Sequence, residues 1–114
     1  IISNYILISD IVINMKKSVI NERVIKNYTK KGLLLVNAAR GELVDEDAIL
    51  NGINNKILCG YLTDVLQNEP MRKTHPFTSQ DKIFITPHIG SRTYESVCRQ
   101  GIMAVENLIE CLPL

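Results

Sequence analysis

Short unbroken apolar runs alternate along the chain with stretches whose apolar residues recur every three or four positions, and the two periods mark different elements. Ile11-Val12-Ile13, preceded by Ser9-Asp10, and Leu33-Leu34-Leu35-Val36 have the continuous apolar character of strands buried on both faces. Ile57 to Thr63, punctuated by Gly60, and Ile83 to Thr86, closed by Pro87, extend the series of strands. Between the first two strands, Asn21 is suited to cap a helix with Glu22 in its first turn, Val24, Ile25 and Tyr28 along one side, and Gly32 as a left-handed stop. Asp45, Glu46 and Asp47 place acidic groups where a helix amino terminus favours them, ahead of Ala48, Ile49, Leu50 and Ile53, which predicts a helix from Asp45 to Asn54. Thr93 opens a last helix with Val97, Gly101, Ala104, Val105, Leu108 and Leu112 at helical spacing. Gly inside a helix costs about 1 kcal/mol relative to Ala, which points to a close backbone contact at Gly101. Asp64 to Lys82 holds Pro70 and Pro76 without a sustained period and is expected to be a long surface loop.

Strands alternating with helices predict an α/β fold, a parallel sheet joined by right-handed crossovers. With 114 residues and 46% apolar content the chain can bury one compact core. Thirteen basic against twelve acidic residues leave a charge of +1, and no stretch gathers Lys or Arg into a stripe, which argues against nucleic acid. Apolar runs of four residues or fewer do not span a bilayer, so no membrane segment is expected. Cys59, Cys98 and Cys111 are odd in number and lack CxxC spacing, the pattern of reduced packing residues in a cytoplasmic protein. The chain opens Ile1-Ile2-Ser3-Asn4, without Met or a targeting signature, and is expected to be a segment of a longer protein.

Ligands of open parallel sheets sit outside the carboxyl ends of the strands, where the loops open onto one edge. Arg40 follows the second predicted strand, Asp64 and Glu69 follow the third, and His88 follows the fourth. Three strands thus deliver a guanidinium, carboxylates and an imidazole to one edge, a set suited to a 2-oxoacid and to proton transfer. Each residue also has a plainer reading: Arg40 as a surface ion-pair partner, Glu69 as a solvated turn residue before Pro70, His88 as a structural histidine. The small residues Ala38, Ala39 and Gly41 around Arg40 favour close approach of a ligand, and Pro87 and Gly90 frame His88 tightly. His75, in Lys73-Thr74-His75-Pro76, has no such setting and reads as a loop residue. Asp45, Glu46 and Asp47 read as helix-start charges, and no cluster has metal-ligand spacing.

Residues 34 to 48, Leu-Leu-Val-Asn-Ala-Ala-Arg-Gly-Glu-Leu-Val-Asp-Glu-Asp-Ala, resemble the signature of the D-isomer-specific 2-hydroxyacid dehydrogenases. The resemblance continues through Asp64-Val65, Glu69-Pro70 and Ile85-Thr86-Pro87-His88-Ile89-Gly90-Ser91, in order over nearly the whole chain. It implies the second half of a Rossmann-like doubly wound parallel sheet. Residues 1–92 are expected to be part of a dinucleotide-binding domain, and 93–114 a long helix leading back toward a substrate domain. It also implies a catalytic set. Arg40 would hold the substrate carboxylate and 2-oxo group, His88 would be the general acid/base, and Glu69 would pair with His88 and favour its imidazolium. Ala38, Ala39 and Arg40 would lie against the nicotinamide half of NAD or NADP, Asp64 would accept from the carboxamide, and His88, Ile89, Gly90 and Ser91 would form the last cofactor loop.

The glycine-rich G-x-G-x-x-G turn of such folds is missing from this sequence, and the connection after Asn14 runs shorter than the family's by about ten residues. The resemblance implies an oxidoreductase acting on a D-2-hydroxyacid or 2-oxoacid, present here as a fragment and homodimeric when full length. The alternatives are an NAD(H)-sensing, corepressor-like binding module and an inactive truncated remnant.

Overall fold

The computed structural model describes residues 5–8 and 18–111. They form β1 (Tyr5–Ile8), α1 (Glu22–Tyr28), β2 (Leu33–Asn37), α2 (Glu46–Asn54), β3 (Leu58–Thr63), β4 (Ile83–Ile85) and α3 (Tyr94–Cys111), with single 3-10 turns at Gly41–Leu43 and Pro76–Ser79. The four strands make one sheet in the order β1-β2-β3-β4, and every neighbouring pair is parallel. The predicted strand at Ile11 to Ile13 and the short connection after Asn14 lie outside the described residues. The first strand described is an earlier apolar run, Tyr5–Ile8, paired along its length with β2.

The helix-start signals act where the sequence places them. Asn21 caps α1 by accepting from the Val24 N–H at 3.2 Å, and Asp45 caps α2 by accepting from the Asp47 and Ala48 N–H groups. Gly32 does adopt the left-handed conformation, with φ of 84°, but α1 has already ended at Thr29 in an extended C-cap. Gly32 instead turns the chain into β2, donating its N–H to the Ile57 carbonyl at 2.8 Å. Tyr28 is exposed rather than part of the buried side of α1, which rests on Ile25.

The core lies between α1, α2 and one face of the sheet, where Ile25, Leu35, Ile49, Leu58 and Tyr61 are buried. The other face is less covered than continuous apolar strands suggest: Leu34, Val36 and Leu62 are half-buried, and Phe84 of the short β4 is exposed. No described element lies over that face, so the alternation of β2 emerges as buried at Leu33, Leu35 and Asn37 only. The helix α3 starts on a Thr93 cap, whose Oγ1 accepts from the Ser96 N–H at 3.1 Å, and is exposed along its length except at Ser96. A Cβ at Gly101 would meet nothing, so the close contact expected there is not made among the described residues. Cys59, Cys98 and Cys111 are free thiols, as expected, but exposed rather than packed inside. No helix among the described residues is long and apolar enough to cross a membrane.

Candidate active site

Parallel pairing of β2, β3 and β4 brings their carboxyl ends to one edge, and the residues that follow them line adjoining pockets there. One pocket of about 240 Å³ is lined by Arg40, Gly41, Glu42, Val65, Leu66, Gln67, Glu69 and His88. The three residues expected to carry the chemistry therefore share one cavity. A larger cleft of about 470 Å³ lies against the same Glu69 and His88 and continues over Asp64, Met71, Pro87 and Arg92. A third, of about 360 Å³, runs from Asn37 and Ala38 across Thr63 and Asp64 to Phe84 and Thr86.

Arg40 owes its position to Asn37, the last residue of β2 and fully buried. The Asn37 carboxamide accepts from the Ala39 N–H at 3.1 Å and donates to the Arg40 carbonyl at 2.9 Å, folding the chain sharply at the strand end. A buried amide without partners would cost several kcal/mol on the order of 2–7, so these bonds tie the turn to the sheet. Ala39 is buried and Ala38 exposed at the edge. The Arg40 guanidinium donates to the Ala39 carbonyl at 2.7 Å, and among the described residues no carboxylate forms an ion pair with it. Its remaining donors form a planar fork suited to a carboxylate ligand.

Glu69 and His88 come from different loops and meet at 2.7 Å between Oε2 and Nδ1. The other oxygen, Oε1, accepts from the Leu66 N–H at 2.8 Å. The hydrogen bond from His88 and then that from Leu66 hold the Glu69 carboxyl below the usual glutamate value, against a smaller opposing effect of burial. His88 has a φ of 52°, a conformation that costs a non-glycine residue about 1–3 kcal/mol and persists only where the surroundings impose it. Here a tight turn over Pro87, closed by the His88 N–H donating to the Thr86 carbonyl at 2.9 Å, sets the backbone.

Asp64 braces the same loop. Its Oδ1 accepts from the Thr86 hydroxyl at 2.5 Å and the Ile89 N–H at 2.9 Å, and its Oδ2 from the Gly90 N–H at 2.7 Å. Burial works to raise the Asp64 carboxyl, but these bonds and the nearby His88 outweigh it and bring it below the usual aspartate value. Asp64 is thus already engaged with the loop that carries His88, Ile89 and Gly90, a tie that its place in the sequence did not announce. Ser91 is exposed beyond that turn.

Three residues not expected to matter make specific contacts around this edge: Asn37, Thr86 and His75. Asn37 had a legible signal, a polar residue at an inward position of an apolar strand. Thr86 had none. His75 is not a bare loop residue: its side chain is 13% exposed, it caps the second 3-10 turn by accepting from the Phe77 N–H at 3.2 Å, and its Nε2 lies 3.2 Å from Glu46 Oε2. Glu46, expected only as a helix-start charge, is the partner that fixes it. No cluster of His, Cys, Asp or Glu suited to a metal occurs among the described residues.

A parallel α/β sheet edge with an Arg, a Glu–His pair and room beside them is the class that fold and site define together. Residues 3–90 match the family described as D-isomer specific 2-hydroxyacid dehydrogenase, NAD binding domain, and the chain belongs to that family. The chain is 37% identical over 93 residues to a glyoxylate reductase of Thermofilum pendens, a match covering 82% of this chain and 27% of that protein. It is 39% identical over 85 residues to the D-3-phosphoglycerate dehydrogenase of Escherichia coli K12, covering 71% of this chain and 21% of that one. Among solved structures it is similar to the NADPH-dependent glyoxylate/hydroxypyruvate reductase of Sinorhizobium meliloti in complex with NADP and malonate, with a TM-score of 0.75, 25% identity, and coverage of 92% of this chain and 32% of that one. The chain spans about a quarter of the length of the curated relatives it matches.

Proposed function

We propose that the chain supplies the catalytic edge of an NAD(P)-dependent oxidoreductase that interconverts a D-2-hydroxyacid and its 2-oxoacid. The observation that carries this reading is the single pocket lined by Arg40, Glu69 and His88, with Glu69 and His88 in direct contact. The edge also suits the cofactor. The space bounded by Asn37, Ala38, Leu62, Phe84 and Thr86 has apolar walls for a flat ring, and Asp64 at its rim has one oxygen with a single protein donor. Ala38, Ala39 and Arg40 on one side, and His88, Ile89, Gly90 and Ser91 on the other, would hold the nicotinamide half, with NAD and NADP both compatible. The chemistry that a bound nicotinamide would supply there is hydride transfer to or from C2 of the substrate.

The chain's own groups handle charge and protons. Glu69 is held ionised, so His88 Nδ1 carries the shared hydrogen and donates it, which leaves Nε2 to exchange a proton with the substrate oxygen. In oxidation Nε2 takes the hydroxyl proton as the C2 hydride departs, and Glu69 stabilises the imidazolium that forms. In reduction Nε2 returns that proton to the oxygen. Arg40 neutralises the substrate carboxylate and polarises the 2-oxo group through its planar fork.

Residues 1–92 would contribute the dinucleotide-binding part, and residues 93–114, within which α3 spans Tyr94–Cys111, would lead toward a substrate domain, in a protein expected to pair as a homodimer. The test is turnover of glyoxylate, hydroxypyruvate and other 2-oxoacids with NADH and NADPH by the full-length chain, against a His88→Ala variant. Substrate-dependent cofactor oxidation that collapses in the variant supports the reading. Absence of turnover with every 2-oxoacid, in a protein that binds the cofactor, defeats it.

A further inference from the structure

Two histidine–glutamate pairs sit back to back across one short turn. On one side His88 meets Glu69; on the other His75 meets Glu46. The turn between them, Leu66 to Glu69, is gripped from both directions. Leu66 donates its N–H to Glu69 Oε1 at 2.8 Å, and the next residue, Gln67, donates its N–H to Glu46 Oε1 at 3.1 Å. The Gln67 side chain adds a bond of 2.6 Å to the Val44 carbonyl.

The His75 ring has one possible arrangement in this network. The Phe77 N–H can only donate, so Nδ1 must accept, and the ring proton sits on Nε2, where it points to Glu46 Oε2. The ring is also pinned from the core. Phe77, 2% exposed, packs edge-on against His75 with ring centroids 4.8 Å apart and against Tyr61 at 5.9 Å. Glu46 itself is the first residue of α2, a rigid element rooted in the core through Ala48, Ile49 and Ile53.

We propose that His75 and Glu46 are positioning residues for the acid/base pair: they lock the Leu66–Glu69 turn to α2 and so set the distance at which Glu69 meets His88. Neither lines the pocket that holds Arg40, Glu69 and His88. The proposal rests on the catalytic reading of that pocket, but its first readout needs no turnover.

The ring's two contacts can be separated by substitution. His75→Asn keeps an oxygen near the Nδ1 position, preserving the Phe77 cap, but is too short to reach Glu46. His75→Gln keeps a donor near the Nε2 position, preserving the Glu46 contact, but loses the cap. In the full-length protein, carboxyl NMR titration of Glu69 should move up toward the ordinary value of 4.5 in His75→Asn and stay at the wild-type position in His75→Gln. Turnover should follow the same order, with kcat falling about tenfold and KM little changed in the Asn variant alone. Glu46→Gln, whose single carbonyl oxygen can serve only one of its two donors, should move Glu69 in the same direction and by less.

The opposite order, with Gln damaging and Asn silent, would show that His75 serves only to cap its turn and would overturn the proposal. So would an unmoved Glu69 titration in both His75→Asn and Glu46→Gln. If wild-type protein turns over no 2-oxoacid while the Glu69 titration still responds as expected, the positioning stands and the catalytic reading is what fails.

Discussion

Gly41 lies flat against the backbone of Leu66, so closely that a Cβ added at Gly41 would fall onto the Leu66 carbonyl and the Gln67 nitrogen. Gly41 follows Arg40, and Leu66 holds Glu69, so this contact sets how near the loop of Arg40 stands to the loop of Glu69. Backbone cannot swing aside as a side chain can. Gly41→Ala should therefore destabilise the fold by roughly 1–3 kcal/mol, the usual range for overpacking, visible as a lower urea midpoint with an unchanged slope. The same variant should lose substrate binding more than cofactor binding. A variant as stable as the parent would mean that the two loops move apart freely.

Arg40→Lys keeps the charge and removes the planar fork. Charge-assisted hydrogen bonds contribute about 1.5–3 kcal/mol each, so kcat/KM for a 2-oxoacid should drop by roughly one to two orders of magnitude. Steady-state kinetics with NADH held saturating checks this. Retention of full kcat/KM would place the substrate carboxylate elsewhere.

Glu69→Gln tests the pair itself. Gln has one carbonyl oxygen where Glu69 uses two, one for Leu66 and one for His88, and it carries no charge to stabilise an imidazolium. The pH limb that reports on the acid/base group should shift, and kcat should fall by about 10²-fold at neutral pH. A superimposable pH profile would remove Glu69 from the mechanism.

Acid should loosen this edge before the rest of the domain. The Glu69 and Asp64 carboxyls are both held below their ordinary values of 4.5 and 3.8, so their folded states bind protons less readily than the unfolded chain. Their contribution to stability is complete above those ordinary values and is lost as pH falls through the lower folded ones. Glu69 is about one third exposed, so solvent screening keeps its share small. Hydrogen exchange of the Leu66, Ile89 and Gly90 amides, followed from pH 6 downward after correction for intrinsic rates, should show protection lost only below about pH 4.5 at Leu66 and only below about pH 3.8 at Ile89 and Gly90. Protection of these amides that survives to pH 2 would contradict the assignment.

Asp64→Ala leaves the Thr86 hydroxyl and the Ile89 and Gly90 N–H groups to solvent. All three are at the exposed edge, where water can replace the carboxylate, so the expected loss of stability is about 1 kcal/mol or less. Cofactor affinity should suffer more, because the turn that carries His88 and Gly90 loses its tether. Titration of NADH fluorescence measures it; unchanged affinity would confine Asp64 to a minor structural role.

The helix starts were legible along the chain. Asn21 and Asp45 cap helices because their side chains reach N–H groups two or three residues away, a relation that short-range geometry dictates wherever the residue sits. The apolar runs at Leu33 to Val36 and Ile57 to Thr63 had to be strands of a parallel sheet, and that topology alone sends Arg40, Glu69 and His88 to a common edge. What could not be read in advance were the relations between groups far apart in the chain. Phe84 sits in an apolar run yet is exposed, because which face of a strand is covered depends on the elements packed over it. The exposed apolar side chains of α3, among them Val105 and Leu108, follow the same rule. Asp64 turned out to brace the loop of His88, and His75 to be held by Glu46, across separations of 25 and 29 residues. Hydrogen bonds of that span depend on how the loops are brought together in space, and no spacing or propensity in the chain encodes which donor a carboxylate will meet.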